Sequence, residues 1–122
     1  MALLPIDLVN NIKQQITELP LSELDLATDP ILIDVREPQE ANAGMIPGTM
    51  NIPRGVLEFQ IQTHPALRGE QHPAVAHADT PIILYCQSGG RSALAALSLQ
   101  QMGFNQVVSL QGGYQAWLAS QG

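Results

Sequence analysis

The chain has a single cysteine, Cys86, among 122 residues, so it can form no internal disulfide and assemble no thiolate zinc cage. Aromatic residues make up only 4% against 45% apolar residues, which leaves a core to be built from Leu, Ile, Val and Ala. Basic residues are scarce too: 5 Lys and Arg against 11 Asp and Glu give a net charge of −6. Without a basic cluster the electrostatic footprint of nucleic-acid binding is missing. No apolar run approaches the roughly 18–20 residues that span a bilayer. The opening Met1-Ala2-Leu3-Leu4-Pro5-Ile6-Asp7 lacks a basic region and soon turns polar, unlike a signal peptide. These absences predict neither nucleic acid nor membrane as a partner, and a reducing cytoplasm as the compartment, where a free thiol persists. The length suits one domain over residues 1–122, with residues 1–15 as an N-terminal helical extension.

What is present is an alternation of short apolar strands and helices. Pro5 to Gln15 carries Ile6, Val9 and Ile12 near helical spacing, with proline in the first turn. Strands are expected at Ile16–Leu19, Ile31–Arg36, Thr49–Ile52, Ile82–Tyr85 and Val107–Leu110. Between them, helices are expected from Pro38 towards Gly44, over Gly55–Gln62 with Val56, Phe59 and Leu57 inward, over Ser92–Met102, and over Tyr114–Ala119. A helical turn is expected over Pro20–Leu24. Thr63 to Thr80 is the least regular stretch, either mobile or holding a short helix around Ala74-Val75-Ala76. Strands apolar on both faces and alternating with helices predict a parallel α/β sheet. Sites in such sheets gather at the carboxyl ends of strands, and Cys86 stands at one.

The loop after that strand reads Cys86-Gln87-Ser88-Gly89-Gly90-Arg91, and Ser92 follows it into a helix. A helix start gathers unpaired N–H groups and favours negative charge, which biases a thiol placed there towards thiolate. Small residues at Ser88, Gly89 and Gly90 let the backbone curl into an anion nest. Ser88 and Ser92 can add hydroxyl donors, and Arg91 a fixed cation. Such a cradle suits a thiolate, a persulfide or a substrate oxyanion. No histidine adjoins Cys86, so a Cys–His pair would need His64, His72 or His77 to fold back. These three read as surface loop residues without ligand spacing, and no metal or other cofactor is expected.

Four segments in this order resemble the rhodanese family of single-domain sulfurtransferases: Ile33-Asp34-Val35-Arg36-Glu37, Gly44 to Pro53, the loop Cys86 to Arg91, and Gly112-Gly113-Tyr114-Gln115-Ala116-Trp117. The resemblance covers most of the chain. It implies a five-stranded parallel sheet flanked by helices on both faces. It also implies that Cys86 takes a sulfane sulfur from a donor such as thiosulfate, becomes a persulfide, and passes the sulfur to cyanide or a thiol. Cys86 and Arg91 enclose four residues, as in the sulfurtransferases, where the related phosphatases have five. Two positions depart from the family. Met45 stands where a histidine is usual, and Gln87 and Ser88 stand where strongly thiosulfate-active members often carry cations. A weaker hold on thiosulfate is therefore expected, with a protein or low-molecular-weight persulfide as the natural donor.

The remaining charged residues have plainer readings. Asp34 and Arg36 are expected to be structural, pairing internally with Glu37 or Glu40 to fix the loop after the second strand. Arg54 follows the third strand, whose end could face the same pocket, so it reads as either a substrate contact or a solvated arginine. Trp117 is expected in the core. The expected partners are small sulfur-containing anions and thiol or persulfide carrier proteins. Beside an active sulfurtransferase stand two other functions: a persulfide carrier or anion-binding regulatory module without turnover, and phosphatase or arsenate-reductase chemistry.

Overall fold

A computed structural model describes residues 2–69 and 72–122. Five parallel strands run β1 (Thr17–Leu19), β2 (Ile31–Asp34), β3 (Thr49–Asn51), β4 (Ile82–Tyr85) and β5 (Val107–Leu110), in the spatial order β1-β5-β4-β2-β3. β4 is therefore the central strand, with β2 and β5 as neighbours. Parallel strands need crossovers, and the helices that supply them cover both faces.

Alternation along β4 divides the core. Ile82, Leu84 and Cys86 point to one side, where Ile33, Val35, Ala95, Ala96, Leu99 and Phe104 bury with them. Tyr85 points to the other side, with Leu32, Ile46 and Leu110, and Tyr114 and Trp117 pack against that cluster. The sulfur thus leaves the sheet on the face covered by α5 (Gly90–Met102). α1 (Pro5–Lys13) packs along α5, with Ile12 buried. α2 (Pro38–Asn42) starts with a capping box in which Glu37 and Glu40 each accept the other's backbone N–H. α6 (Gly113–Gln121) closes the chain.

Several boundaries differ from the sequence expectation. β2 ends at Asp34 and β3 at Asn51, each short of the apolar run, because Ile52 and Arg54 turn their N–H groups onto Asp34 and Val35 carbonyls beyond the ladder. α5 begins at Gly90, two residues early, because Gly89 adopts φ 118° and bends the loop straight into the helix; that conformation suits glycine alone. The expected helix at 55–62 is a 3-10 turn Arg54–Val56, one α-turn α3 (Leu57–Gln60), and another 3-10 turn Ile61–Thr63. Its inward residues are Leu57 and Ile61, whereas Phe59 is 82% exposed and Val56 lies at the surface. Mixed helix types break the regular spacing on which the Val56 and Phe59 expectation rested. The short helix in the irregular stretch is α4 (Pro73–Ala76), and Leu67 and Pro73 anchor the segment in the core. Residues 70 and 71 of that stretch lie outside the described ones.

Candidate active site

β4 delivers Cys86 to the carboxyl end of the sheet, and the residue is 1% exposed. Its loop is held from beneath by α6. The N–H groups of Tyr114 and Gln115 donate to the carbonyls of Cys86 (2.8 Å) and Gln87 (3.0 Å). Gly113, at φ 59°, lies so close that a Cβ there would collide with the Cys86 carbonyl oxygen. Glycine at this position lets α6 reach the loop.

Around the sulfur, the Gly89 N–H donates to Sγ at 3.1 Å, and Ser92 Oγ lies 3.5 Å away. Ser92 is fully buried, and its Oγ is 2.7 Å from that of the equally buried Ser109 on β5. Burial pushes the Cys86 thiol up, but the Ser92 hydroxyl and the amides of Ser92, Gly89 and Ser88 outweigh it, and the thiol ends below its ordinary value. Amides and a hydroxyl thus favour charge on the sulfur. Ser88 is exposed, and Gln87, Gly90 and Arg91 are half-buried.

Arg91 was expected as the cation of the loop. It makes a two-pronged pair with Glu40 of α2, Nη1–Oε1 2.7 Å and Nη2–Oε2 3.0 Å. Its charge still acts on Cys86, which helps hold the guanidinium protonated, although the Glu40 hydrogen bond is the main cause. Arg91 therefore joins α5 to α2 across the mouth of the loop. A planar fork matched to a carboxylate explains the choice of partner.

Asp34 and Arg36 are structural in form, but the expected partners Glu37 and Glu40 are replaced by Asp34 itself. Arg36 is 2% and Asp34 0% exposed, with Nη2–Oδ2 2.7 Å and Nε 3.0 Å from both carboxylate oxygens. Residues two apart at the end of a strand share a face, which brings the charges together. Arg36 Nη2 also donates to the Gly44 carbonyl at 2.7 Å and Nη1 to Gln87 Oε1 at 3.2 Å, and the guanidinium lies 4.4 Å over the Tyr114 ring. One buried cation thus ties together β2, the turn at Gly44, the cysteine loop and α6.

Arg54 turns onto α3, where Nη1 donates to Glu58 Oε2 at 2.9 Å; Ser98 Oγ donates to the same oxygen at 2.5 Å. His64 accepts the Ala66 N–H at 3.1 Å and so belongs to its own turn. His72 is exposed, and His77 lies 3.5 Å from Thr80 Oγ1. Among the described residues no group of His, Cys, Asp or Glu is arranged to hold a metal, and no helix is long and apolar enough to cross a membrane. Met45 is 37% exposed, while the turn it belongs to is fixed by the Ile46 N–H donating to the Tyr85 hydroxyl at 3.1 Å. Trp117 stacks on Tyr114, ring centres 5.8 Å apart, and is half-buried against the second core cluster rather than inside it.

Ser109 and Lys13 escaped the sequence reading, and Glu40 stood there only as a partner for Asp34 and Arg36, not for Arg91. Ser109 had a usable signal, since a lone hydroxyl in the strand Val107-Val108-Ser109-Leu110 must find a partner once buried. Glu40 had a weaker one, as the acid three residues after Glu37 around Pro38. Lys13 had none. Its Nζ comes within 3.8 Å of where a Cβ on Gly89 would lie, and 3.5 Å from Glu18 Oε2.

A cysteine at the end of the central strand of a parallel sheet, opening a donor-lined loop that runs into a helix, defines a class of thiol-dependent α/β domain. The family model for the rhodanese-like domain matches residues 20–120, and the chain belongs to that family. It is 33% identical over 89 residues to a sulfurtransferase of Allochromatium vinosum, covering 73% of this chain and 72% of the relative. To the human thiosulfate:glutathione sulfurtransferase it is 35% identical over 91 residues, covering 71% and 77%. A solved structure from Rhodopseudomonas palustris, of a protein of unknown function described as a possible tyrosine phosphatase, superposes with a TM-score of 0.80 at 30% identity. That match covers 100% of this chain and 94% of the other. Sulfur transfer is the class of activity that the curated relatives support.

Proposed function

We propose that this chain is a sulfurtransferase that carries sulfane sulfur on Cys86 as a persulfide. The observation that carries the reading is the environment of Sγ: a buried strand-end thiol with the Gly89 amide 3.1 Å and the Ser92 hydroxyl 3.5 Å away, drawn below its ordinary pKa. A thiolate is the nucleophile that sulfur transfer requires. In the first half-reaction Cys86–S⁻ attacks the outer sulfur of thiosulfate. The new S–S bond forms as the old one breaks, and sulfite leaves with the electron pair. In the second, an acceptor thiolate or cyanide attacks the outer sulfur of Cys86–S–S⁻, and Cys86 departs as thiolate. Neither step needs a metal, an external base or an oxidant.

The partners of Arg91 bear on the donor. Its guanidinium is committed to Glu40, and Gln87 and Ser88 bring no charge, so the loop offers a dianion little beyond its amides. A persulfide donor, with one charge, suits that cradle better than thiosulfate does. The expected outcome is measurable thiocyanate formation from thiosulfate and cyanide, faster turnover with a low-molecular-weight persulfide, and loss of both in Cys86→Ser. Persulfide exchange without cyanolysis would mark a carrier instead. Hydrolysis of a generic aryl phosphate, with no sulfur transfer, would overturn the reading in favour of phosphatase chemistry.

A further inference from the structure

β5 is apolar except for Ser109, whose hydroxyl faces the core. Ser109 Oγ, Ser92 Oγ and Cys86 Sγ form a row, with separations of 2.7 and 3.5 Å. Each hydroxyl has a single proton to give. If Ser92 gives its proton to Ser109, none is left for the sulfur. If Ser109 donates to Ser92, the Ser92 proton is free to point at Sγ. We propose that Ser109 is a positioning residue for Cys86: by donating to Ser92, it turns the Ser92 hydroxyl onto the cysteine sulfur.

A thiolate can only accept, so beside an anionic Sγ the one arrangement in which both hydroxyls donate along the row is Ser109 to Ser92 to sulfur. Beside a neutral thiol the row can run in reverse. It therefore discriminates between the charge states of Sγ. Without Ser109, the Ser92 hydroxyl can fall back on a carbonyl one turn earlier in its own chain, as helical serines do. It also loses the polarisation that a donor at its oxygen supplies.

The consequence for catalysis rests on the persulfide reading above. In Cys86–S–S⁻ the charge sits on the outer sulfur, not on Sγ. When cyanide attacks that outer sulfur, a C–S bond forms, the S–S bond breaks, and its electron pair stays on Sγ: Cys86–S–S⁻ and CN⁻ give Cys86–S⁻ and SCN⁻. The row meets the charge as it arrives on Sγ. A better-stabilised leaving thiolate departs faster, so Ser109 acts most strongly on sulfur release.

Other charged groups surround the cysteine. From α5 comes Arg91, paired with Glu40 of α2. From β2 comes the Asp34–Arg36 pair, reaching the loop through Gln87. From α1 comes Lys13 near Gly89, and from β1 comes Glu18, in register with Ser109. All of them remain in Ser109→Ala, so a change in that variant belongs to the row.

The test is the pH dependence of Cys86 alkylation by iodoacetamide in wild type, Ser92→Ala, Ser109→Ala, the double variant and Ser109→Thr. Single-turnover cyanolysis of the preformed persulfide is measured alongside. Ser92→Ala is expected to lower the thiolate fraction on the acid limb about three- to tenfold, and Ser109→Ala about two- to fivefold, within the worth of one buried hydrogen bond. Adding Ser109→Ala to Ser92→Ala should change little, because the first acts through the second. Ser109→Thr, which keeps the hydroxyl, should restore the wild-type midpoint. A wild-type midpoint in Ser109→Ala overturns the proposal, and so does an equal shift in the Ser92→Ala background, which is the mark of general packing damage. Alkylation needs no sulfur transfer. If the expected pattern appears while wild type takes up no sulfur, the persulfide reading fails and the row stands.

Discussion

Arg36 is the residue on which most of the site's geometry converges. It is buried with Asp34, and it holds the Gly44 carbonyl, Gln87 and the face of Tyr114. Removing one partner of a buried pair strands the other charge. Arg36→Ala is therefore expected to cost about 3–5 kcal/mol in urea denaturation, with Asp34 left uncompensated. Arg36→Lys should recover only part of this, since an ammonium cannot serve a carboxylate, a carbonyl and an amide in one plane. Recovery of full stability by Arg36→Lys would show that charge alone matters. The two residues stood out in the sequence as a charged pair at the end of an apolar strand, and their structural role was legible there. Their partner was not, because the nearby Glu37 and Glu40 offered equally good charges, whereas in the fold Glu40 hydrogen-bonds Arg91 and acts on Arg36 only through its charge.

At the scale of elements, the cysteine loop is a splice between β4 and α5 supported by the first turn of α6. Gly113 is the contact point, and both its positive φ and the carbonyl of Cys86 exclude a side chain. Gly113→Ala should destabilise the fold by about 1–3 kcal/mol, through overpacking. It should also slow alkylation of Cys86 by displacing the loop, a change that intrinsic reactivity towards iodoacetamide at fixed pH would report. An unchanged melting temperature would contradict this reading. The strand–loop–helix arrangement was readable because Gly, Ser and a following alanine-rich run are strong local signals. The helix after β3 was not, since one-turn helices carry too few residues to set a period: Leu57 and Ile61 are buried, while Phe59 between them faces solvent.

Across the whole molecule, the parallel sheet was legible in strands apolar on both faces, whereas the order β1-β5-β4-β2-β3 depends on long-range pairing that no local pattern encodes. One long-range contact also gives a pH signature. The Arg91 hydrogen bond is the main reason that the Glu40 carboxyl is lowered to about 2; burial opposes the shift, and the Glu37 backbone aids it. A carboxyl held below its unfolded value contributes stability that is fully present above that value, 4.5, and disappears as pH falls through about 2. Both side chains are more than one-third exposed, so solvent screening keeps the contribution below about 1 kcal/mol. Glu40→Gln should thus be slightly less stable than wild type at pH 6, and the gap should close between pH 4.5 and 2. A gap that widened on acidification would contradict the pairing.

The central claim is that Cys86 carries the sulfur, and the intact mass of the protein after incubation with thiosulfate or a low-molecular-weight persulfide tests it most directly. The account predicts a gain of one sulfur atom, about 32 Da, that is absent in Cys86→Ser and is lost on addition of cyanide as the thiolate leaves. No mass gain from either donor, or a gain that survives in Cys86→Ser, would contradict it.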